Sequence, residues 1–240
     1  MALNVVSAGM TDAGRTRKHN EDAFLDAPDR GLWVVADGMG GHTAGDVASA
    51  MIVQRIGKLG RPADPLAFID TVEAELLVVN AELRIQARER NVGLIGATVV
   101  TLMTCGDFMV CGWAGDSRAY RYRAGKLQML SRDHSMNQEM LDTGQFTVEM
   151  LKGNANTNAI TRAVGGEEGL YVDWIVAEFM PSAEFLICTD GLTKELSDAR
   201  LEEEFARQLP PAQTARNLVQ AALEHGGRDN VTAVVVSANA

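Results

Sequence analysis

Acidic residues close the apolar runs of this chain with unusual regularity. Leu32-Trp33-Val34-Val35-Ala36 leads into Asp37-Gly38, the run 108–114 into Gly115-Asp116-Ser117, and the run 184–188 into Thr189-Asp190-Gly191. Asp229 precedes the final apolar run within Gly227-Arg228-Asp229-Asn230, and the pair Glu21-Asp22 leads into the run that starts at Ala23. Carboxylates at the ends of buried strands must be exposed, paired with bases or ligated to cations, because an apolar interior cannot hold them unpaired. An all-oxygen donor set suits Mg²⁺ or Mn²⁺ better than zinc. Asp beside Gly is also ordinary turn chemistry, so one such site alone carries little. Three of them, with Asp229 as a fourth such carboxylate and glycines that let backbone approach an ion closely, point to metal-dependent chemistry.

The elements that position these residues can be read from periodicity. Strands are expected at about 4–10, 23–26, 32–36, 97–105, 108–114, 119–123, 127–130, 173–179, 184–188 and 231–237. The stretch 94–114 holds Asp107 as its sole charge, but its Thr and Val content and the Gly106-Asp107 turn make it a buried hairpin instead of a membrane span. One helix is expected from Thr43, with Asp46 in its first turn, to about Lys58. A second has Asp64 as N-cap and Pro65 at its first position, with Leu66, Ile69, Val72, Leu76, Val79 and Leu83 along one face. A third starts near Pro211 and buries Ala215, Leu218, Val219, Ala222 and Leu223. Strands in sequential runs, with helices set apart from them, indicate an α+β sandwich over an alternating βαβ fold. No repeat or linker divides residues 1–240, which read as a single domain.

In order along the chain stand Arg17-x-x-Asn20-Glu21-Asp22, Ala36-Asp37-Gly38-Met39-Gly40-Gly41-His42, Gly115-Asp116-Ser117-Arg118, Thr189-Asp190-Gly191-Leu192 and Arg228-Asp229-Asn230-Val231-Thr232. A weaker middle signature comprises Leu130 to Ser135, Gly144, Thr147 and Ile160 to Gly165. Together these resemble the ordered motifs of the metal-dependent PP2C-type (PPM) Ser/Thr protein phosphatases in their bacterial single-domain form. Each motif is short, but five in the right order from Arg17 to Thr232 make a specific pattern.

The resemblance implies a four-layer αββα sandwich of two antiparallel sheets flanked by helices, with the metal centre in a cleft at one end. It implies that Asp37 bridges two Mn²⁺ or Mg²⁺ ions, that Asp190 and Asp229 hold the first, and that Glu21 and the carbonyl of Gly38 serve the second. Asp116, with Asp190, matches the position of a weaker third ion, and Arg17 matches the arginine that grips the substrate phosphate. Arg17, Asp37 and Asp190 are thus the residues expected to carry catalysis. The implied reaction is hydrolysis of phosphoserine and phosphothreonine by a hydroxide bridging two ions about 3.5–4 Å apart, without a phosphoenzyme. Phosphorylated proteins are the implied partners, with a bacterial Hanks-type kinase as the opposing enzyme. Two departures stand out. Met39 occupies the place where many eukaryotic members have a histidine, which leaves the leaving-group acid open between a metal-bound water and His42. Lys152-Gly153-Asn154 replaces a frequent His-Pro pair in the flap, about residues 135–161.

Rival readings are weaker. The run Asp37–Gly41 lacks the Gly-Lys-Ser/Thr ending of a P-loop and the GxGxxG pattern, and Gly115-Asp116-Ser117 is no GxSxG elbow. A catalytically inactive phosphoprotein-binding module on the same fold would have no need to keep all five acidic positions. A small-molecule phosphomonoesterase using the same centre is the remaining alternative. Lys and Arg number 22 against 32 Asp and Glu, and the resulting net charge of −10 opposes sequence-independent binding to nucleic acid or an anionic membrane. Cys105, Cys111 and Cys188 lie in apolar runs without metal spacing, and no signal segment is read at the start. The expectation is a cytoplasmic, monomeric enzyme.

Overall fold

The computed structural model describes residues 4–40, 44–60, 64–151 and 159–239. Among them the apolar runs become eleven strands in two antiparallel sheets. One sheet has the order β1 (Asn4–Asp12), β11 (Val231–Asn239), β10 (Glu184–Cys188), β7 (Arg118–Arg123) and β8 (Lys126–Met129). The other runs β2 (Asp22–Ala27), β3 (Leu32–Gly40), β5 (Val99–Cys105), β6 (Phe108–Ala114) and β9 (Asp173–Glu178), with β4 (Ile95–Ala97) paired to β3. The Gly106-Asp107 turn does join β5 to β6 as a two-residue hairpin, with Cys105 opposite Phe108 and Gly106 at a φ of 58°.

Four layers follow from which faces are apolar. Helices α1 (Gly45–Ile56) and α2 (Pro65–Glu89) cover the second sheet, and Ile52, Ile56, Val72, Leu76, Val34 and Met103 share that core. Between the sheets pack Trp33, Val35, Phe185, Ile187, Val234 and Val236. Short helices α3 (Met136–Asp142), α4 (Val148–Leu151) and α5 (Asp190–Thr193) are followed by α6 (Asp198–Ala206) and α7 (Pro211–His225). The last two cover the first sheet through Leu201, Phe205, Leu218 and Val219. The αββα sandwich expected from the motifs is therefore present.

Three details differ from the sequence reading. The strand expected over 97–105 is interrupted at Thr98, although the register of β3 against β4 and β5 is continuous (Val35 opposite Val100, Gly38 opposite Ala97). The cause is local: the Thr98 hydroxyl, not its carbonyl, accepts the Asp37 backbone N–H at 3.1 Å, so one ladder bond is replaced by a side chain. Helix α2 has its Asp64 cap, the carboxylate accepting the Ala67 N–H at 2.9 Å, but Leu66 is 70% exposed and Phe68 takes the first core position. The helix's inward stripe is Phe68, Val72, Leu76, Val79 and Leu83, and Leu66 in the first turn points away from it. Leu223 on α7 is only partly buried. Thr43, His42 and the flap residues 152–158 lie outside the described residues.

Candidate functional site

Asp37 lies inside β3, which runs on past the expected end at Ala36 to Gly40, Asp190 follows β10 and Asp229 precedes β11, and the fold brings them to one cavity of about 290 Å³, where Glu21, Gly38, Met39 and Arg17 also line the wall. Of the residues expected from sequence, only Asp116 is not on that wall. It lines an adjoining cavity of about 210 Å³, which Asp190 shares.

Backbone contacts fix each ligand candidate. The Glu21 carbonyl accepts the Gly38 N–H at 3.1 Å and the Ser49 hydroxyl at 2.6 Å, while the Glu21 N–H donates to Asn230 Oδ1 at 2.8 Å. Only glycine fits at 38, since a Cβ there would stand 2.1 Å from the Gly45 carbonyl oxygen and 2.6 Å from that of Glu21. Asp37 is locked on both backbone sides by Thr98, whose hydroxyl lies 2.7 Å from that of Ser117, next to Asp116. Asp190 opens α5, and a Cβ at Gly191 would come 1.9 Å from the Asn230 carbonyl oxygen, so the α5 start and the Asp229 loop are in direct contact.

Two residues that organise the site were not singled out from the sequence. Asn230 ties its own loop to the β1–β2 connection at three points, its amide donating to the carbonyls of Ala13 and His19, each at 2.9 Å, while its oxygen holds Glu21. Asp22 is buried and accepts the hydroxyls of Thr232 at 2.6 Å and Thr189 at 2.8 Å, which belong to the opposite sheet. Both stand inside the recognised motifs, but a motif does not say which of its polar residues face a metal and which brace the frame.

The electrostatics call for cations. Burial, then the neighbouring Asp22, Asp190, Asp116 and Asp229, push the Asp37 carboxyl well above its usual range. Burial, then Asp190, raise Asp116 to about 7 against a smaller opposing pull from Lys194. Asp22 also rises to about 7, where burial outweighs its two hydroxyl donors. Asp116 Oδ1 and Asp190 Oδ1 are buried without a hydrogen-bond partner. Crowded, all-oxygen and under-neutralised, this donor set fits hard divalent cations such as Mn²⁺ or Mg²⁺.

The chain supplies some counter-charge itself. Arg17 engages Asp229 through Nε at 2.9 Å and Nη2 at 3.0 Å. Lys194 Nζ pairs with Asp190 Oδ2 and stands 3.5 Å from Asp229 Oδ2. Burial pulls the Lys194 ammonium down, but Asp190 and Asp229 more than reverse it, and its pKa is raised. Among the described residues no three Asp, Glu, His or Cys side chains close around a single point, so an ion held here would complete its shell with water.

Known proteins resemble this chain in sequence and fold. The sequence profile of Protein phosphatase 2C matches residues 13–225. The Serine/threonine phosphatase stp of Listeria innocua is 34% identical over 237 residues, which cover 95% of this chain and 94% of that protein. PppA, described as a key regulatory component of T6SS in Pseudomonas aeruginosa, superposes with a TM-score of 0.89 at 41% identity, over 98% of this chain and 97% of that one. The catalytic domain of the serine threonine protein phosphatase PstP in complex with two manganese ions gives a TM-score of 0.88 at 29% identity, over 100% of both chains. With the ordered motifs, the four-layer sandwich and the converging carboxylates in place, the chain belongs to the protein phosphatase 2C family.

Proposed function

We propose that this chain is a metal-dependent protein serine/threonine phosphatase that hydrolyses phosphoserine and phosphothreonine. The observation that carries the reading is the convergence of Glu21, Asp37, Asp190 and Asp229 on the same cavity as Arg17. In this reading Asp37, Asp190, Asp229, Glu21 and the Gly38 carbonyl, which line one cavity, would together hold two Mn²⁺ or Mg²⁺ ions. When bound, such ions supply Lewis acidity, which lowers the pKa of water and neutralises phosphate oxygens.

The chain's own residues do the rest. Thr98 fixes Asp37 through the backbone, and Asn230 fixes Glu21, so the carboxylates keep their places when charge develops. Arg17 presents a planar fork that suits phosphate. In this structure the fork is paired with Asp229, a carboxylate whose charge a bound divalent cation would share. Met39 lines the cavity and offers no proton, and no histidine is on the described wall. Cysteine-based phosphate chemistry is not served, because burial pushes the Cys111 and Cys188 thiols up to about 12 and leaves no thiolate at neutral pH.

The proposed setting is a monomer in the cytoplasm that opposes a Ser/Thr protein kinase. No helix among the described residues is long and apolar enough to cross a membrane. The likeness to PppA makes T6SS signalling the first pathway to test. The deciding experiment is phosphate release from a phosphothreonine peptide with Mn²⁺ and with EDTA, beside a panel of metabolite phosphates. Metal-dependent release favouring the peptide supports the reading. Binding without release points to an inactive module, and preference for metabolites to a small-molecule phosphomonoesterase.

A further inference from the structure

Asp116 and Asp190 share the adjoining cavity with a third residue whose charge is wrong for a metal site: Lys194. It caps α5 one helical turn after Asp190, and this i, i+4 spacing aims its ammonium at the Asp190 carboxylate. Nζ contacts Asp190 Oδ2 and lies 3.5 Å from Asp229 Oδ2. Arg118, the other cation lining the cavity, is committed elsewhere by a two-pronged pair with Asp133 at 2.8 and 2.7 Å. Lys194 is thus the lining cation left to neutralise the Asp116 and Asp190 side of the site.

We infer that Lys194 takes the place of the third metal ion, so that this chain holds two divalent cations and carries its third positive charge covalently. The inference rests on the two-ion centre proposed above and departs from the expectation of a weak third ion at Asp116 and Asp190. The reasoning is charge counting. Asp190 already serves the first ion, and Asp116 alone would face a divalent cation with an ammonium beside it. Hard cations bind carboxylate sites according to the number of ligand charges, and a fixed cation among the ligands removes one. The ammonium also needs no free-metal concentration to be present, so this part of the site is neutralised whatever the ion supply.

The test counts ions on the full chain. Mn²⁺ titration by calorimetry, with unbound Mn²⁺ measured by its EPR signal, should give two ions per wild-type chain. Lys194→Asn, which trades the ammonium for a neutral oxygen donor, should gain a third. Thermal unfolding in EDTA supplies a second readout: Lys194→Asn should melt below wild type, because Asp190 and Asp229 lose their counter-charge, and Mn²⁺ should close the gap. Lys194→Met, which keeps length and apolar stem, replaces Lys194→Asn in the melting comparison if the asparagine variant does not fold, and it too should melt below wild type. Three ions on the wild-type chain overturn the inference, as do two on both proteins or equal melting in EDTA. An absence of any Mn²⁺ binding by either protein overturns the two-ion centre itself, and the inference with it.

Discussion

Asp22 and Asp37 stand directly opposite each other across β2 and β3, yet they face different tasks. Asp37 opens into the cavity, whereas Asp22 turns to the other sheet and accepts the hydroxyls of Thr189 and Thr232. The chain of contacts continues from Thr232 to the Thr11 hydroxyl at 2.7 Å, which in turn accepts the Asn20 amide at 2.9 Å. One carboxylate of the pair therefore pins the two sheets together at the point where the other lines the cavity. The cost is electrostatic, for Asp37, already raised by its burial, is raised further by the charge of Asp22.

That cost makes stability depend on pH and metal together. Asp22 and Asp116 titrate near 7 in the fold, and Asp37 is raised well above its ordinary value. Groups raised in the fold keep protons that the unfolded chain has lost. Their contribution is complete below the unfolded carboxyl value of about 4 and disappears as pH rises through about 7. His134, lowered by its burial, works the opposite way near its unfolded value, one group against three. The melting temperature in EDTA should therefore fall between pH 5.5 and 8 (about the window set by these values), and Mn²⁺ should raise it more at the upper end. A metal-free melting temperature that climbs across this range would contradict the electrostatic picture of the cluster.

Asp37→Asn and Asp190→Asn each remove a ligand charge without changing size. Both should lose most of kcat and weaken Mn²⁺ binding by about tenfold or more, given how affinity follows ligand charge. In EDTA, Asp37→Asn should melt at or above wild type, because a neutral amide relieves the crowding. Calorimetry that shows undiminished Mn²⁺ binding in Asp37→Asn would remove it from the bridging position.

Much of this was legible in the sequence because the site lies at or near strand ends. Apolar runs closed by Asp and Gly mark both the strands and the candidate ligands, and Asp64-Pro65 marks the start of α2 without ambiguity. What escaped has physical reasons. The break at Thr98 arises because a hydroxyl substitutes for a carbonyl across strands distant in sequence, and β-propensity does not register that exchange. The short helices α3 and α5 bury too few residues to show a period. Lys194 reads as an ordinary surface lysine until the four-residue step from Asp190 is seen to be helical.

His134 links the Asp116 turn to the flap side of the cleft. Its Nδ1 accepts the Gly115 N–H at 3.1 Å, its Nε2 meets Asp173 at 3.1 Å, and its ring stacks on Trp113. Arg162 holds the other Asp173 oxygen at 2.8 Å. Because Nδ1 accepts, the neutral ring donates from Nε2. His134→Ala leaves a buried N–H without a partner, which costs about 1–3 kcal/mol, or several degrees in melting temperature. Burial holds the ring neutral, so its stabilisation is present above about 6.5 and drains away as pH falls. The difference in stability between wild type and the variant should thus shrink from pH 7 to pH 5. A constant difference would mean that the ring acts through packing alone.

Arg17 offers the sharpest separation of structural from catalytic roles, because its partner is itself a candidate ligand. Its side chain is 53% exposed, so the ion pair with Asp229 is screened and worth about 0–1 kcal/mol to stability. If Arg17 only braced Asp229, Arg17→Ala would loosen Mn²⁺ and leave KM unchanged. If it grips the substrate phosphate, the same variant should bind Mn²⁺ at least as tightly, since a competing cation has left Asp229, while phosphopeptide KM rises clearly and kcat falls less. One charge-assisted contact is worth about 1.5–3 kcal/mol, or about ten- to more than a hundredfold in kcat/KM. Arg17→Lys should recover only part of this, as the charge returns without the two-pronged geometry. Metal affinity and KM thus move in opposite senses under the phosphate-gripping role. Kinetics of Arg17→Ala within about twofold of wild type at saturating Mn²⁺, beside a lost calorimetric site, would assign the residue to Asp229 alone.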